Sequence, residues 1–351
     1  MLQEGALEGL TEVINIHSKT CPETTEAALW ALVNMTCDSE IATVFGQLGG
    51  IVVVTDLLHE LAGRGQLTSL LQACICVVRN LSSATAYNYS ILAGTTICED
   101  TACILSSSCT ANSVAEVSLY TLSNLSCDLE LAKRVLGIQG CIETVMKILN
   151  MQLTGDCDEA LIEAAVWTVR TVAAGGADSQ TKLHSVGALG SIATAFDLLP
   201  DQTANLCAAV LNLIADFEPG KSEAVSLDFC LKLCLALKNK YTDPALSEFI
   251  CKSLSQLAMD NPSNREKVVA EGGRDMVVRV LSLHRGESQV VRAACEALLH
   301  LHFTTADLRT FLKDKGALSE EGKAVVAESF EEVLNIWVNS DQTLRQVLSI
   351  D

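Results

Sequence analysis

Leu29-Trp30-Ala31-Leu32-Val33-Asn34 returns as Cys76-Val77-Val78-Arg79-Asn80-Leu81 and again as Leu119-Tyr120-Thr121-Leu122-Ser123-Asn124. Fainter copies put Thr171, Asn212, Gln256 and His300 where Asn34 stands, at steps of 46, 44, 47, 41, 44 and 44 residues. A glycine keeps the same phase: Gly49, Gly94, Gly140, Gly187, Gly272 and Gly316 each follow an anchor by 14 to 16 residues, and only the Asn212 copy lacks one. Two markers in step over seven copies define a repeat. Such a period means stacked units, none of which buries its apolar face alone. Functional side chains are therefore expected on an extended surface and not in a catalytic pocket.

Residues 38–82 serve as the specimen unit. Asp38-Ser39-Glu40 is a helix-start signal, and Gly49-Gly50 allows a sharp turn after a short helix. Ile51, Val54, Leu57, Leu58 and Leu61 then recur at three- and four-residue spacing, the stripe of a second helix that Gly63 and Gly65 close. A third helix, about 66–81, is apolar on most sides and should be largely buried, which makes Asn80 an outlier on it. No alternation of period two is sustained, so the chain is expected to be all helix. Pro22, Pro244 and Pro262 fall at expected helix starts, and Pro200 and Pro219 in connections.

Composition narrows the function classes. The chain has 351 residues, 24 basic and 43 acidic, for a net charge of −19. Residues 1–130 hold 14 acidic and 3 basic side chains, so −11 of that charge sits in about the first third. This balance opposes binding to nucleic acid or anionic lipid and favours a basic or polar protein partner. No run of about 18 apolar residues exists, so no membrane insertion is expected. The 15 cysteines lie mostly among aliphatic residues, as in Cys74-Ile75-Cys76, and are expected to be reduced core hydrophobes, with a cytoplasmic and also nuclear location the natural setting. Sequons at Asn34, Asn80, Asn88 and Asn124 are expected to be accidents of the repeat. The first ten residues carry no basic side chain and lack the pattern of a signal or transit peptide.

A short helix, a glycine turn, a second helix and a third ending in the Asn phrase resemble the armadillo repeat. The likeness is carried by Ala28-Leu29-Trp30-Ala31-Leu32-Val33-Asn34, Glu4-Gly5-Ala6-Leu7, Asp260-Asn261-Pro262-Ser263-Asn264-Arg265-Glu266 and Ala270-Glu271-Gly272-Gly273. It implies an all-α, right-handed superhelical solenoid of about seven three-helix repeats over residues 1–318, as in the importin-alpha and beta-catenin families. Their third helices line a concave groove. The opening at Gly5-Ala6-Leu7 falls halfway through a repeat, so a piece of a longer protein is expected. Residues 319–351, with Phe330, Leu334 and Trp337, leave the pattern and read as a C-terminal capping helix.

The resemblance also points to site residues. In peptide-binding members the third-helix asparagine pairs its amide with the backbone of an extended ligand; Asn34, Asn80, Asn124 and Asn212 match, while Thr171, Gln256 and His300 depart. The same amide is equally able to bond to the neighbouring repeat and set the stacking. Four residues earlier the importin-type pattern has tryptophan, which packs basic side chains. Trp30 and Trp167 stand there, with Tyr120 as a substitute. Eight residues before the anchor come Glu26, Glu116, Glu163 and Glu248, a face that attracts Lys or Arg or is simply solvated. Arg79, Arg170 and Arg292 on the same helices keep that face from being uniformly acidic.

Catalytic signatures are missing. Gly220-Lys221-Ser222 lacks the earlier glycine and the preceding strand of a phosphate loop, and Gly316 to Lys323 has the wrong spacing. No Cys-x-x-Cys, His-Glu-x-x-His or Gly-x-Ser-x-Gly is present. Asp156-Cys157-Asp158-Glu159 reads as the acidic start of a third helix, and His300 with His302 as a packed and a surface histidine. The expectation is a non-catalytic scaffold or adaptor, without cofactor or metal, that binds an extended or helical segment of a protein partner, chiefly through the N-terminal repeats. A transport receptor for basic peptides and a regulator of a small GTPase are the alternatives.

Overall fold

The computed structural model describes residues 4–65, 68–107, 112–155, 158–259, 261–284 and 286–301. The expected cap at 319–351, with Trp337, and also Gly316 and His302, lie outside the described residues. Among the described residues every α or β element is a helix. In chain order these are α1 (Glu4–His17), α2 (Pro22–Thr36), α3 (Ser39–Gln47), α4 (Gly50–Arg64), α5 (Ser69–Leu81), α6 (Ala86–Leu92) and α7 (Ile97–Ser107). Then follow α8 (Asn112–Leu125), α9 (Leu129–Gly137), α10 (Cys141–Thr154), α11 (Glu159–Ala173), α12 (Ala177–Ser185) and α13 (Ala188–Leu198). The last seven are α14 (Thr203–Ile214), α15 (Glu218–Ser226), α16 (Phe229–Lys240), α17 (Pro244–Ala258), α18 (Pro262–Ala270), α19 (Gly273–Leu283) and α20 (Ser288–His300). A 3₁₀ turn, Pro200–Gln202, precedes α14.

The chain divides into two compact units, Met1–Ser191 and Ile192–Asp351. In the first, the third helices α2, α5, α8 and α11 pack in series; in the second, α14, α17 and α20 do. The specimen unit forms as the sequence indicates. Asp38 caps α3 by accepting from the amides of Glu40 and Ile41 at 2.9 and 3.1 Å. Gly49 takes φ +81° between α3 and α4, and a Cβ on Gly50 would come within 2.3 Å of the buried Phe45 ring. Helix α5 lies against α2, α4 and α8 and is buried nearly all round, from Leu70 through Leu81. Pro219 differs from expectation: it sits in the first turn of α15, where a missing N–H costs nothing, and not in a connection.

The turn after the first helix takes a left-handed residue in five of the six described copies, and this explains the glycine marker. Gly49, Gly140, Gly187 and Gly272 have φ between +75° and +81°. Gly94 is not among the left-handed residues; its turn runs through the shortest first helix, the seven-residue α6. In the copy that lacks the glycine, Asp228 stands at the same phase and is held at φ +58°. It makes no side-chain capping bond there. The backbone geometry is thus kept where the residue type is not, with strain as the cost.

No single described helix is long and apolar enough to cross a membrane. Thirteen cysteines are described, all as free thiols. Burial pushes the thiols of Cys98, Cys141, Cys234 and Cys295 up to about 12, and that of Cys230 to about 11. Asn88 is fully buried and Asn80 is 7% exposed, so neither sequon presents its amide in the folded chain.

Replacing Asp228 by Gly relieves the left-handed strain. The expected outcome is a gain of about 1 kcal/mol and a rise of about 2 °C in thermal midpoint, read by calorimetry, with Gly272→Ala moving the other way.

Candidate functional site

Each third helix ends in carbonyls that its own backbone cannot satisfy. Within each unit, the anchor residue of the following third helix reaches back to that end. Asn80 Nδ2 on α5 donates to Val33 O at 3.0 Å and Thr36 Oγ1 at 3.2 Å on α2. Asn124 Nδ2 on α8 donates in the same register to Arg79 O at 3.2 Å and Ser82 Oγ at 3.4 Å. The departures from asparagine also reach the end of the preceding third helix, but to a hydroxyl or an amide and not to a carbonyl. Thr171 Oγ1 donates to Ser123 Oγ at 3.2 Å, Gln256 Oε1 accepts from the Asp216 amide at 3.1 Å, and His300 Nδ1 shares a 2.5 Å hydrogen bond with Ser255 Oγ.

Of the two uses that the sequence leaves open for these amides, those of Asn80 and Asn124 serve the preceding repeat. Asn34 is exposed and has no such bond, while Asn212 is half-buried. The pattern had a readable companion: the hydroxyls Thr36, Ser82 and Ser126 recur two residues after the first three anchors.

Residues eight and four positions before the anchor share the face of the third-helix layer that meets solvent. In the first unit, Trp30 is 37% exposed. One turn earlier, Glu26 accepts from Ser69 Oγ at 2.6 Å, across to the neighbouring third helix. Tyr120 is half-buried, and its phenol is pushed up to about 12 by burial and by Glu163 and Glu116, with Arg79 opposing. One carboxylate comes from its own helix and the other from α11, so the tyrosine stands between two acids. At the same position Cys76 is buried and fills the step between Trp30 and Tyr120.

Trp167 is half-buried, and the Arg170 guanidinium lies 4.4 Å from its ring centre. The second unit carries no aromatic residue at these positions. There Glu248 pairs with Lys252 at 2.6 Å and Glu296 with Arg292 at 3.4 Å, each along its own helix. The structure therefore brings Trp30, Glu26, Glu116, Glu163 and Tyr120 onto the exposed third-helix face of the first unit. In the second unit the equivalent charges are paired within their helices.

A second polar cluster gathers near the end of α20. Arg265 Nε donates to His300 O at 3.0 Å, and Tyr89 OH makes the corresponding bond to Asn124 O at 2.9 Å. Burial, with Lys221 and Arg265 adding positive charge, lowers the His300 imidazole to about 3. Among the described residues no group of three or more metal-ligating side chains is found.

Solved structures share this architecture. The chain is similar to an engineered protein solved as a structural-genomics target, at 15% identity, covering 93% of this chain and 78% of that one with a TM-score of 0.73. It is similar to a designed armadillo-repeat protein in complex with the peptide (KR)4, at 16% identity, 70% and 99% coverage and a TM-score of 0.58. A chain from a structure of the cadherin and beta-catenin interaction matches at 16% identity, over 90% of this chain and 61% of that one, with a TM-score of 0.68. No protein-family profile and no curated protein matches the sequence. The fold is that of the armadillo-repeat proteins.

Two outcomes test the anchor geometry. Asn80→Ala removes the inter-repeat bonds to Val33 O and Thr36 Oγ1, which keep only bonds within α2 and its C-cap, and is expected to cost about 1 kcal/mol, whereas Asn34→Ala stays within about 0.5 kcal/mol in urea titrations. His300 has a folded pKa of about 3 below its ordinary 6.5. Between these values the unfolded chain binds the extra proton, so stability rises with pH through this window and is lost on acidification below about 6.5. Wild type is expected to lose about 1–2 kcal/mol more than His300→Gln between pH 7.5 and pH 5, read by urea midpoints.

Proposed function

We propose that the chain is a non-catalytic protein-interaction scaffold that binds an extended or helical segment of a partner along the third-helix face of its first unit. The reading rests on Trp30 and Tyr120 standing exposed and half-buried among Glu26, Glu116 and Glu163. An aromatic face bordered by carboxylates suits the aliphatic stem and charged head of lysine or arginine. The concentration of negative charge in residues 1–130 favours the same class of ligand by long-range attraction. A basic segment of a protein partner is the ligand that this chemistry selects, and the partner's remaining contacts are to polar groups.

The anchor amides enter this reading in a changed role. Asn34 remains a candidate for a backbone contact to a ligand, Asn80 and Asn124 hold the helices that present the aromatic residues, and Asn212 lies in the second unit, outside the proposed face. Catalysis has no support in the arrangement, which sets carboxylates beside aromatic rings. Arg79 and Arg170 keep the face from being uniformly acidic.

The test is fluorescence anisotropy with a labelled peptide of alternating Lys and Arg in roughly physiological salt. Saturable binding is expected, and Trp30→Ala and Tyr120→Ala are each expected to weaken it by about three- to tenfold with unchanged thermal midpoints. Absence of saturable binding, or wild-type affinity in both variants, overturns the assignment of the face.

A further inference from the structure

The three aromatic residues on the third-helix face are not equivalent. Among the described residues, Arg170 over Trp167 is the one cation–ring contact, at 4.4 Å. The two residues are three apart on α11, the spacing that places side chains on one helical face. The guanidinium is also sheltered: partial burial lowers its pKa, and Arg170 lies near Cys127, beyond the end of α8. Trp30 and Tyr120 have no such companion at the same spacing, because Val33 and Ser123 follow them by three residues, and Arg79 on α5, near enough to act on the Tyr120 phenol, makes no ring contact among the described residues.

We propose that Arg170 is a built-in occupant of the Trp167 ring, so that the face accepts cationic side chains at Trp30 and Tyr120 and turns them away at Trp167. This deepens the proposed function and rests on it. The chemistry is direct competition. A ligand lysine or arginine that sought the Trp167 ring would have to displace a half-buried guanidinium held on the same helix, whose effective concentration at the ring is high. Until displaced, that guanidinium repels the incoming charge. Glu163, one turn before Trp167, is left to act toward Tyr120, where it raises the phenol pKa. Specificity follows from a local subtraction: two open cation subsites separated by the Cys76 step, then a closed one. A partner segment is thereby read for where its basic residues stop.

The experiment uses the full chain and the same labelled Lys-Arg peptide with wild type, Arg170→Gln, Trp167→Ala and the double variant, each checked for an unchanged thermal midpoint. Arg170→Gln keeps a similar stem and removes the charge. It is expected to bind roughly tenfold more tightly than wild type, Trp167→Ala to bind within about twofold of wild type, and the double variant to fall back to wild-type affinity. Three results overturn the proposal while leaving the binding face in place. These are a loss in Trp167→Ala as large as in Trp30→Ala, no gain in Arg170→Gln, or a gain that survives in the double variant, which would reflect net charge alone. Failure of all four proteins to bind overturns both the closed subsite and the face.

Discussion

The bond from one third helix back to the end of the preceding one is the constraint on which the remaining structure depends. An α-helix closes with carbonyls that lack partners, and in a stacked layer water reaches those ends poorly. Asn80 and Asn124 supply donors to the carbonyls of Val33 and Arg79 in the same register, 47 and 45 residues back. Because the bond sits at the end of the helix, it fixes the sliding of neighbouring third helices against each other. Apolar packing alone fixes that register less tightly, since leucine and valine contacts tolerate small shifts. Threonine, glutamine and histidine substitute because the site needs a polar atom at a given reach and not an amide as such.

This constraint orders the exposed face. Once the anchors are locked, residues four and eight positions earlier fall into rows across neighbouring helices, and in the first unit those rows bring Tyr120 between Glu116 and Glu163. The carboxylates are far apart in sequence and act on one phenol only because the helices are in register. The two units part ways in how they treat the same positions. In the second unit Glu248 with Lys252 and Arg292 with Glu296 satisfy each other along the helix, and exposed pairs of this kind add little stability. They remove free charge from the face and leave the first unit as the part with unneutralised acid beside aromatic rings.

The turns show the same priority of geometry over residue type. Asp228 holds φ +58° where neighbouring repeats use glycine, because the close approach of the first and second helices demands the left-handed region there. Buried cysteines fill small gaps in the layers, and the upward shift of their thiols follows from the absence of polar surroundings.

The sequence by itself determined the all-helical class, the length and order of the three-helix unit and the burial of the third helices. Apolar spacing and glycine phase are local signals, and they survive when individual repeats drift. It determined which residue types stand at the anchor and aromatic positions but left the use of the anchor amide open. Only the tertiary structure decided that Asn80 and Asn124 bond to their neighbours, that Asp228 keeps the missing glycine's conformation, and that Arg170 covers Trp167. The first depends on a partner some 45 residues away and the second on a backbone angle that composition does not encode. The third depends on which of several rotamers a half-buried arginine adopts when α8 and α11 are packed together.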